Sequence, residues 1–348
     1  MNASIQDVIP DAGINFTLDQ NVIGCKIPCF AVSFLAENYL EELGLIRNTD
    51  FPEGSSVIEA VACSASAWTR TAKVTVQLRD GTIKNYFLKC AIERGAIMME
   101  GEYTSLNTIH SLMPGFTPQP HGWGKFESSN VYFLLMDFIE LKSTPPNPVE
   151  FCARVVEMHQ KSVSPTGQFG FHVPTCHGKN LQMNTWTSSW AECFVEIISW
   201  FFHEDIRVNG HWPEYEAAIE KLTTRVIPIL LGVLQADGRS IKPCLVHGDL
   251  WDENTGVNVG TGEPVVFDAS VLYAHNEYEL GMWRREIIRF NQPYIRQYLL
   301  RFPPSEPTSQ WEDRNRLYSI KFNLGHSISF PGSRLLREQS VVFFSLKC

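Results

Sequence analysis

The chain lacks long apolar runs, an excess of positive charge, paired cysteines and internal repeats, and each absence removes a class of protein. Among its 348 residues no stretch approaches 18 consecutive apolar side chains, the length a helix needs to cross a bilayer. The longest runs, such as residues 131–136 (VYFLLM), are strand-sized. The N-terminus, MNASIQDVIPDAG, has no cationic start followed by an apolar block, so no secretory signal is expected and a cytoplasmic location is. Lys and Arg number 29 against 38 Asp and Glu, a net charge of −9. That balance opposes generic nucleic-acid binding, which needs a basic footprint, and adhesion to an anionic membrane surface. The nine cysteines are scattered without a C-x-x-C pair, and Cys25 and Cys29 form a lone C-x-x-x-C with no second pair nearby. A zinc site is therefore not expected, and unpatterned thiols suit a reducing compartment.

What is present describes a globular protein. Apolar residues make up 44% and charged residues 19%, and a chain this long buries a full core without disulfides. The length predicts two lobes. Residues 1–50 mix short apolar patches with Pro and Gly, with one helically spaced segment at 36–45. From 55 to 90 the pattern turns β-rich: VIEAVAC, AKVTVQL and KNYFLKC, the last two separated by Asp80-Gly81, a hairpin signal. Three antiparallel strands are expected, then a helix over 97–112 ended by Pro114-Gly115, then a buried strand within 130–141. Residues 142–148 (KSTPPNP) read as a hinge. Beyond it the spacing predicts helices over 149–161, 185–202 and 213–234, the last interrupted at Pro228, and a short strand at 264–268. The fold class expected is α+β with two lobes, in the plan of a protein kinase. An N-terminal lobe (1–141, with an extension over about 1–50) holds a small antiparallel sheet and one helix, and a C-terminal lobe (142–348) is mainly helical.

Residues 246–254 read VHGDLWDEN, and Asp268 follows Asn254 by fourteen residues at the end of an apolar strand. Phosphoryl transfer needs a carboxylate to orient or deprotonate the attacking hydroxyl, and an amide oxygen and a second carboxylate to hold Mg²⁺ against the phosphates. Asp249, Asn254 and Asp268 have those types in that order. Upstream, Lys89 ends the third expected strand and Glu102 lies thirteen residues on, within the expected helix. A strand Lys paired with a helix Glu can reach the α- and β-phosphates of ATP. Glu100 is the other candidate partner, but two residues away on a helix it faces elsewhere. The loop expected to cover the phosphates, 63–70 (CSASAWTR), has no glycine. Ser64, Ser66 and Thr69 offer donors there, and a plain hairpin turn explains the same residues equally well. Backbone groups near Met136 are expected to meet the adenine.

Together these segments resemble the fructosamine and ketosamine kinases, a branch of the aminoglycoside-phosphotransferase-like kinases, over about 55–330. The resemblance rests on HGDLWDEN, on PVVFDASVLYAHNEYEL at 264–280, on QFGFHVPTCHGKNLQMNTW at 168–186 and on MEGEYTSL at 99–106. It implies ATP-dependent, Mg²⁺-assisted phosphorylation of O3 of a ketosamine, a glycated small amine or protein lysine, whose labile 3-phosphate breaks down and frees the amine. It makes Asp249 the base, Asn254 and Asp268 the metal ligands, Lys89 and Glu102 the phosphate-positioning pair, and Trp251 and His247 neighbours of the sugar. His275 and Glu277 match its G-H-x-E segment with Ala274 in place of Gly, and support of the metal loop is the role expected for them. Some members carry a redox-sensitive Cys in the phosphate loop. Cys63 stands there, although an inert buried thiol is the plainer reading. The family's chain is expected to end in a long amphipathic helix, and SVVFFSLKC does not have that spacing. Asp268 is followed by Ala269-Ser270 and not by Phe-Gly, which argues against a kinase of Ser or Tyr residues. Two other readings remain: a kinase of aminoglycosides, choline or another small alcohol, which the FGFH block opposes, and an inactive nucleotide-binding chain with an altered C-terminus.

Overall fold

The computed structural model describes residues 51–65, 68–92, 94–126, 130–142, 144–285, 287–332 and 337. A five-stranded antiparallel sheet, ordered β1-β2-β3-β5-β4, comes first. Its strands are β1 (Ser56–Ala65), β2 (Arg70–Gln77), β3 (Ile83–Ala91), β4 (Pro120–Lys125) and β5 (Tyr132–Asp137). The β2–β3 turn follows the Asp-Gly signal: Asp80 accepts from the Thr82 amide at 2.9 Å and Gly81 has φ +85°. Alternation along β3 sends Tyr86, Leu88 and Cys90 into a core with Val74, Val76, Phe133 and Leu135. The same period-2 rule turns Lys89 to the opposite face. There helix α1 (Gly95–Leu112) lies, burying Met98, Met99, Glu102, Leu106 and Ile109 at helical spacing. Glu102 thus sits inside an apolar stripe. β4 was not foreseen, because PHGWGK holds a Pro and two Gly, and it takes the edge position where such residues are tolerated.

After β5 the Phe138 amide still donates to the Asn85 carbonyl of the sheet, whereas the Glu140 carbonyl accepts from the Val259 amide. The next strand, β6 (Leu141–Lys142), already pairs with β10 of the second lobe. The Pro-rich segment leads into α2 (Pro148–Lys161), whose first turn is capped by Asn147 through the Val149 amide at 2.8 Å. A hairpin of β7 (Thr175–His177) and β8 (Asn180–Gln182) follows. α3 spans Trp190–Asn209, starting later than expected. Thr187 is bridged to Phe169 by two backbone bonds of 2.9 Å, and Ser189 then caps the helix through the Glu192 amide. α4 (Pro213–Lys221) continues through a π-helical turn, Leu222–Val226, into Ile227–Leu230. The widened turn accommodates Pro228, which lacks an amide hydrogen.

Two short pairs carry the segments of chemical interest: β9 (Cys244–Val246) with β12 (Leu272–Ala274), and β10 (Thr255–Asn258) with β11 (Pro264–Val266). Helices α5 (Glu279–Met282), α6 (Gln292–Arg301) and α7 (Trp311–Ser329) complete the lobe. The large core contains Phe151, Trp190, Phe194, Tyr278, Trp283 and Tyr318. The C-terminal segment lies outside the described residues except for Arg337. That residue docks on α3 and α4: its Nε stands 2.8 Å from Asp205 Oδ2, it donates to the Gly210 carbonyl, and its guanidinium lies over the Tyr215 ring. Among the described residues no helix is long and apolar enough to cross a membrane.

Candidate active site

Residues 247–254 form the loop between β9 and β10, and Asp268 lies in the turn between β11 and β12. The two turns are stitched together. The Ser270 amide donates to the His247 carbonyl at 2.9 Å, His247 Nε2 contacts the Phe267 carbonyl at 2.9 Å, and the Phe267 amide donates to the Asn254 carbonyl at 3.0 Å. Gly248 has φ +80°, and a Cβ there would overlap the Ser270 carbonyl, so this loop requires glycine. Asp268 itself adopts the left-handed conformation with φ +55°, a strained position that Asp tolerates better than most residues.

The turn directs the Asp268 carboxylate at Lys89. Lys89 Nζ donates to Glu102 Oε2 at 2.7 Å and to Asp268 Oδ1 at 2.8 Å. Three residues from β3, α1 and the β11–β12 turn therefore meet as one ion cluster, while Glu100 takes no part. Burial opposes the Lys89 charge, but Asp268 and Glu102 outweigh it and hold the ammonium above its ordinary value. Burial pushes the Glu102 carboxyl up. Burial acts on Asp268 in the same sense, yet Lys89 prevails and keeps that carboxyl low. Asp268 is the open member, its side chain 47% exposed against 8% for Lys89, so it is the carboxylate a ligand can reach.

Across the loop, Asn254 Nδ2 donates to the Asp249 carbonyl at 2.8 Å and to Asp249 Oδ2 at 3.2 Å. That fixes the amide and leaves Asn254 Oδ1 as its available donor atom. Together with Asp268 it offers hard oxygen ligands of the kind Mg²⁺ takes. Among the described residues no group of three or more His, Cys, Asp or Glu could hold a metal by itself. The set therefore fits a cation that completes its shell with phosphate oxygens and water.

Asp249 Oδ1 is buried and faces His177 Nε2 at 2.9 Å. Burial opposes ionisation of Asp249, but His177 and Lys321 outweigh it and hold the carboxyl below its ordinary range. Lys321, on α7, is fully buried among the rings of Phe201, Tyr278 and Phe322, and burial brings its pKa down to about 7. Arg285 also lies within electrostatic reach of Asp249.

Several expectations need correction. His247 is fully buried with both ring nitrogens engaged, so it clamps the loop and does not face a substrate. His275 and Glu277 are structural, as expected, but they brace a different place. His275 contacts Tyr318 and Ser305 at 2.8 Å, and Glu277 takes a bidentate bond from Arg314 at 2.7 and 2.9 Å. The 247–254 loop is braced instead by Glu279, which sequence reading missed and whose two oxygens accept the His247 and Gly248 amides. Met136 is buried on β5 against the core that α1 shares. Trp251 is half-buried in the middle of the loop. Cys63 is exposed, and the partial burial of its thiol raises its pKa, which lowers the thiolate fraction that oxidation requires. Ser66 and the side chain of Ser64 lie outside the described residues. His177 and Lys321 were also missed, since nothing in their local sequence points to Asp249.

The chain is 29% identical over 260 residues to a chloroplastic protein-ribulosamine 3-kinase of Arabidopsis thaliana, covering 74% of this chain and 75% of that one. It is 30% identical to the corresponding protein of Oryza sativa subsp. japonica, covering 74% and 71%. The fold matches a crystal structure of a protein assigned as a fructosamine-3-kinase from Haemophilus somnus, with TM-score 0.68 and 16% identity over 91% of this chain and 98% of that one. It also matches an aminoglycoside phosphotransferase crystallised with AMP-PNP and hygromycin B, with TM-score 0.60 and 14% identity over 90% and 99%. The kinase-like two-lobed α+β fold is thus shared with both. The sequence model of fructosamine kinases matches residues 63–347, and the chain belongs to that family.

Proposed function

We propose that this protein transfers the γ-phosphoryl group of ATP to the 3-hydroxyl of a ketosamine, ribulosyl or fructosyl, on a small amine or a protein lysine. The observation that carries the reading is the ion cluster of Lys89, Glu102 and Asp268 beside a loop, stitched to the Asp268 turn, that holds Asp249 and Asn254 together. Lys89, oriented by Glu102, neutralises the α- and β-phosphates. Asp268 and Asn254 would hold Mg²⁺, which when bound would offset charge on the β- and γ-phosphates. Asp249, kept ionised, accepts the proton of the attacking hydroxyl through Oδ2, since Oδ1 is buried against His177. The half-buried Trp251 offers an apolar face to the C–H side of a sugar. Six free cysteines among the described residues support a reducing, cytosol-like compartment.

The test is ³¹P NMR of the protein with Mg-ATP and, in turn, ribulosyl-lysine, fructosyl-lysine and choline. A new phosphate ester is expected with the ketosamines and none with choline. Turnover of choline in preference to both ketosamines would overturn the substrate class.

A further inference from the structure

We infer that His177 is a positioning residue for Asp249, holding Oδ1 so that Oδ2 meets the substrate hydroxyl. This deepens the reading above and rests on Asp249 being the base. The two oxygens of Asp249 have unlike surroundings. Oδ2 receives Asn254 Nδ2 at 3.2 Å, whereas Oδ1 is buried and has no aligned hydrogen bond among the described residues, with His177 Nε2 2.9 Å away. A buried carboxylate oxygen without a donor is costly. Catalytic hydrogen bonds are often poorly aligned before substrate binds and straighten when it does.

The imidazole is held from several sides. It ends β7, and the hairpin that carries it is fastened by Asn180, whose amide donates to the Gly325 carbonyl at 3.1 Å and to Ser329 Oγ at 3.0 Å. Thr175, on the same strand, passes over Gly101 of α1 so closely that a Cβ on that glycine would strike the Pro174 carbonyl. Gly325 of α7 leaves the space the ring occupies, since a Cβ there would collide with His177 Nδ1. The rings of Phe201 and Phe322 stand 6.2 and 5.9 Å away. The charges facing the pair are Lys321 of α7 and Arg285 beyond α5. Burial and these cations favour the neutral ring. With its proton on Nε2, that ring stands 2.9 Å from Oδ1 and donates to it once the two are aligned, while Nδ1, buried and without a partner among the described residues, carries no hydrogen.

His177→Gln keeps an amide N–H near the position of Nε2, and His177→Leu keeps bulk without a donor. Loss of one hydrogen bond to a charged group predicts a fall in kcat of about 10- to 100-fold for His177→Leu, with KM for ATP and ketosamine within about two-fold of the parent. His177→Gln is expected to recover kcat to within about five-fold of the parent. Should the Leu variant misfold in a thermal melt, Gly325→Ala displaces the ring without removing it and is expected to lower kcat in the same way. Parental kcat in His177→Leu beside a dead Asp249→Asn overturns the role of His177 alone. Equal losses in the Gln and Leu variants also overturn it, because a donor would then be irrelevant. Full activity of Asp249→Asn overturns the assignment of the base itself.

Discussion

The Lys89 cluster and the surroundings of Asp249 handle buried charge differently. On the nucleotide side, Lys89, Glu102 and Asp268 pair opposite charges directly, at 2.7 and 2.8 Å. On the acceptor side, Asp249 is surrounded by His177, Lys321 and Arg285, and Lys321 Nζ makes no hydrogen bond among the described residues. In the first arrangement Lys89 keeps the Asp268 carboxyl low, while burial pushes the Glu102 carboxyl up against the pull of Lys89. The second tunes one carboxylate through groups that themselves bear a burial cost, a pattern common at catalytic sites. Pairing is therefore expected to govern phosphate binding, and desolvated surroundings to govern the base.

Removing the centre of the paired cluster has the largest expected effect. Lys89→Met leaves the buried Glu102 and the half-exposed Asp268 without their cation, and kcat/KM should fall by about 10²- to 10³-fold in steady-state assays. A change of less than about three-fold would break the contrast. Next comes the brace beneath the acceptor side. Glu279→Gln replaces a two-oxygen acceptor of the His247 and Gly248 amides, and leaving one buried amide unpaired should cost about 2 kcal/mol in denaturant unfolding.

Lys321→Met gives a smaller effect with a distinctive pH dependence. The unfolded lysine is protonated below 10.5 and the folded one only below about 7. Between those values the unfolded state holds more protons, so stability of the parent rises with pH across that window. The penalty is full at and below pH 7. Lys321→Met is thus expected to stabilise by about 1–2 kcal/mol at pH 6, after the offset from the three surrounding rings, and by almost nothing above pH 10. A gain independent of pH would show that Lys321 is not buried against its charge. Cys63→Ser should change stability by less than about 0.5 kcal/mol and leave peroxide sensitivity as it was, because the thiol is exposed with a raised pKa.

The same contrast sets what could be read from the sequence. The paired cluster was legible because its members stand at local signals: Lys89 at a strand end, Glu102 on the following helix, Asp268 after an apolar strand. Strand alternation and helix spacing aim the first two at each other, so pattern alone carried the geometry. The sheet, hairpin and most helices followed from the same periodicities. β4 was hidden by its Pro and Gly, and the start of α3 by a bridge from Thr187 to Phe169 that no local pattern announces. The acceptor side was legible only in Asp249, Asn254 and Trp251. His177 and Lys321 reach the base through a hairpin and a helix distant in sequence, and Glu279 braces the loop through a contact that spacing does not encode. His247 looked like a substrate residue because it adjoins the base, whereas its side chain turns inward to the Phe267 carbonyl.

The most direct measurement is ketosamine-dependent ADP release with Mg²⁺, comparing the parent with Asp249→Asn. Release by the parent is expected with ribulosyl- or fructosyl-lysine, and a loss of about 10²- to 10⁴-fold in kcat for the variant, with ATP binding retained. Parental turnover by Asp249→Asn would contradict the assignment of Asp249 as the base that activates the sugar hydroxyl.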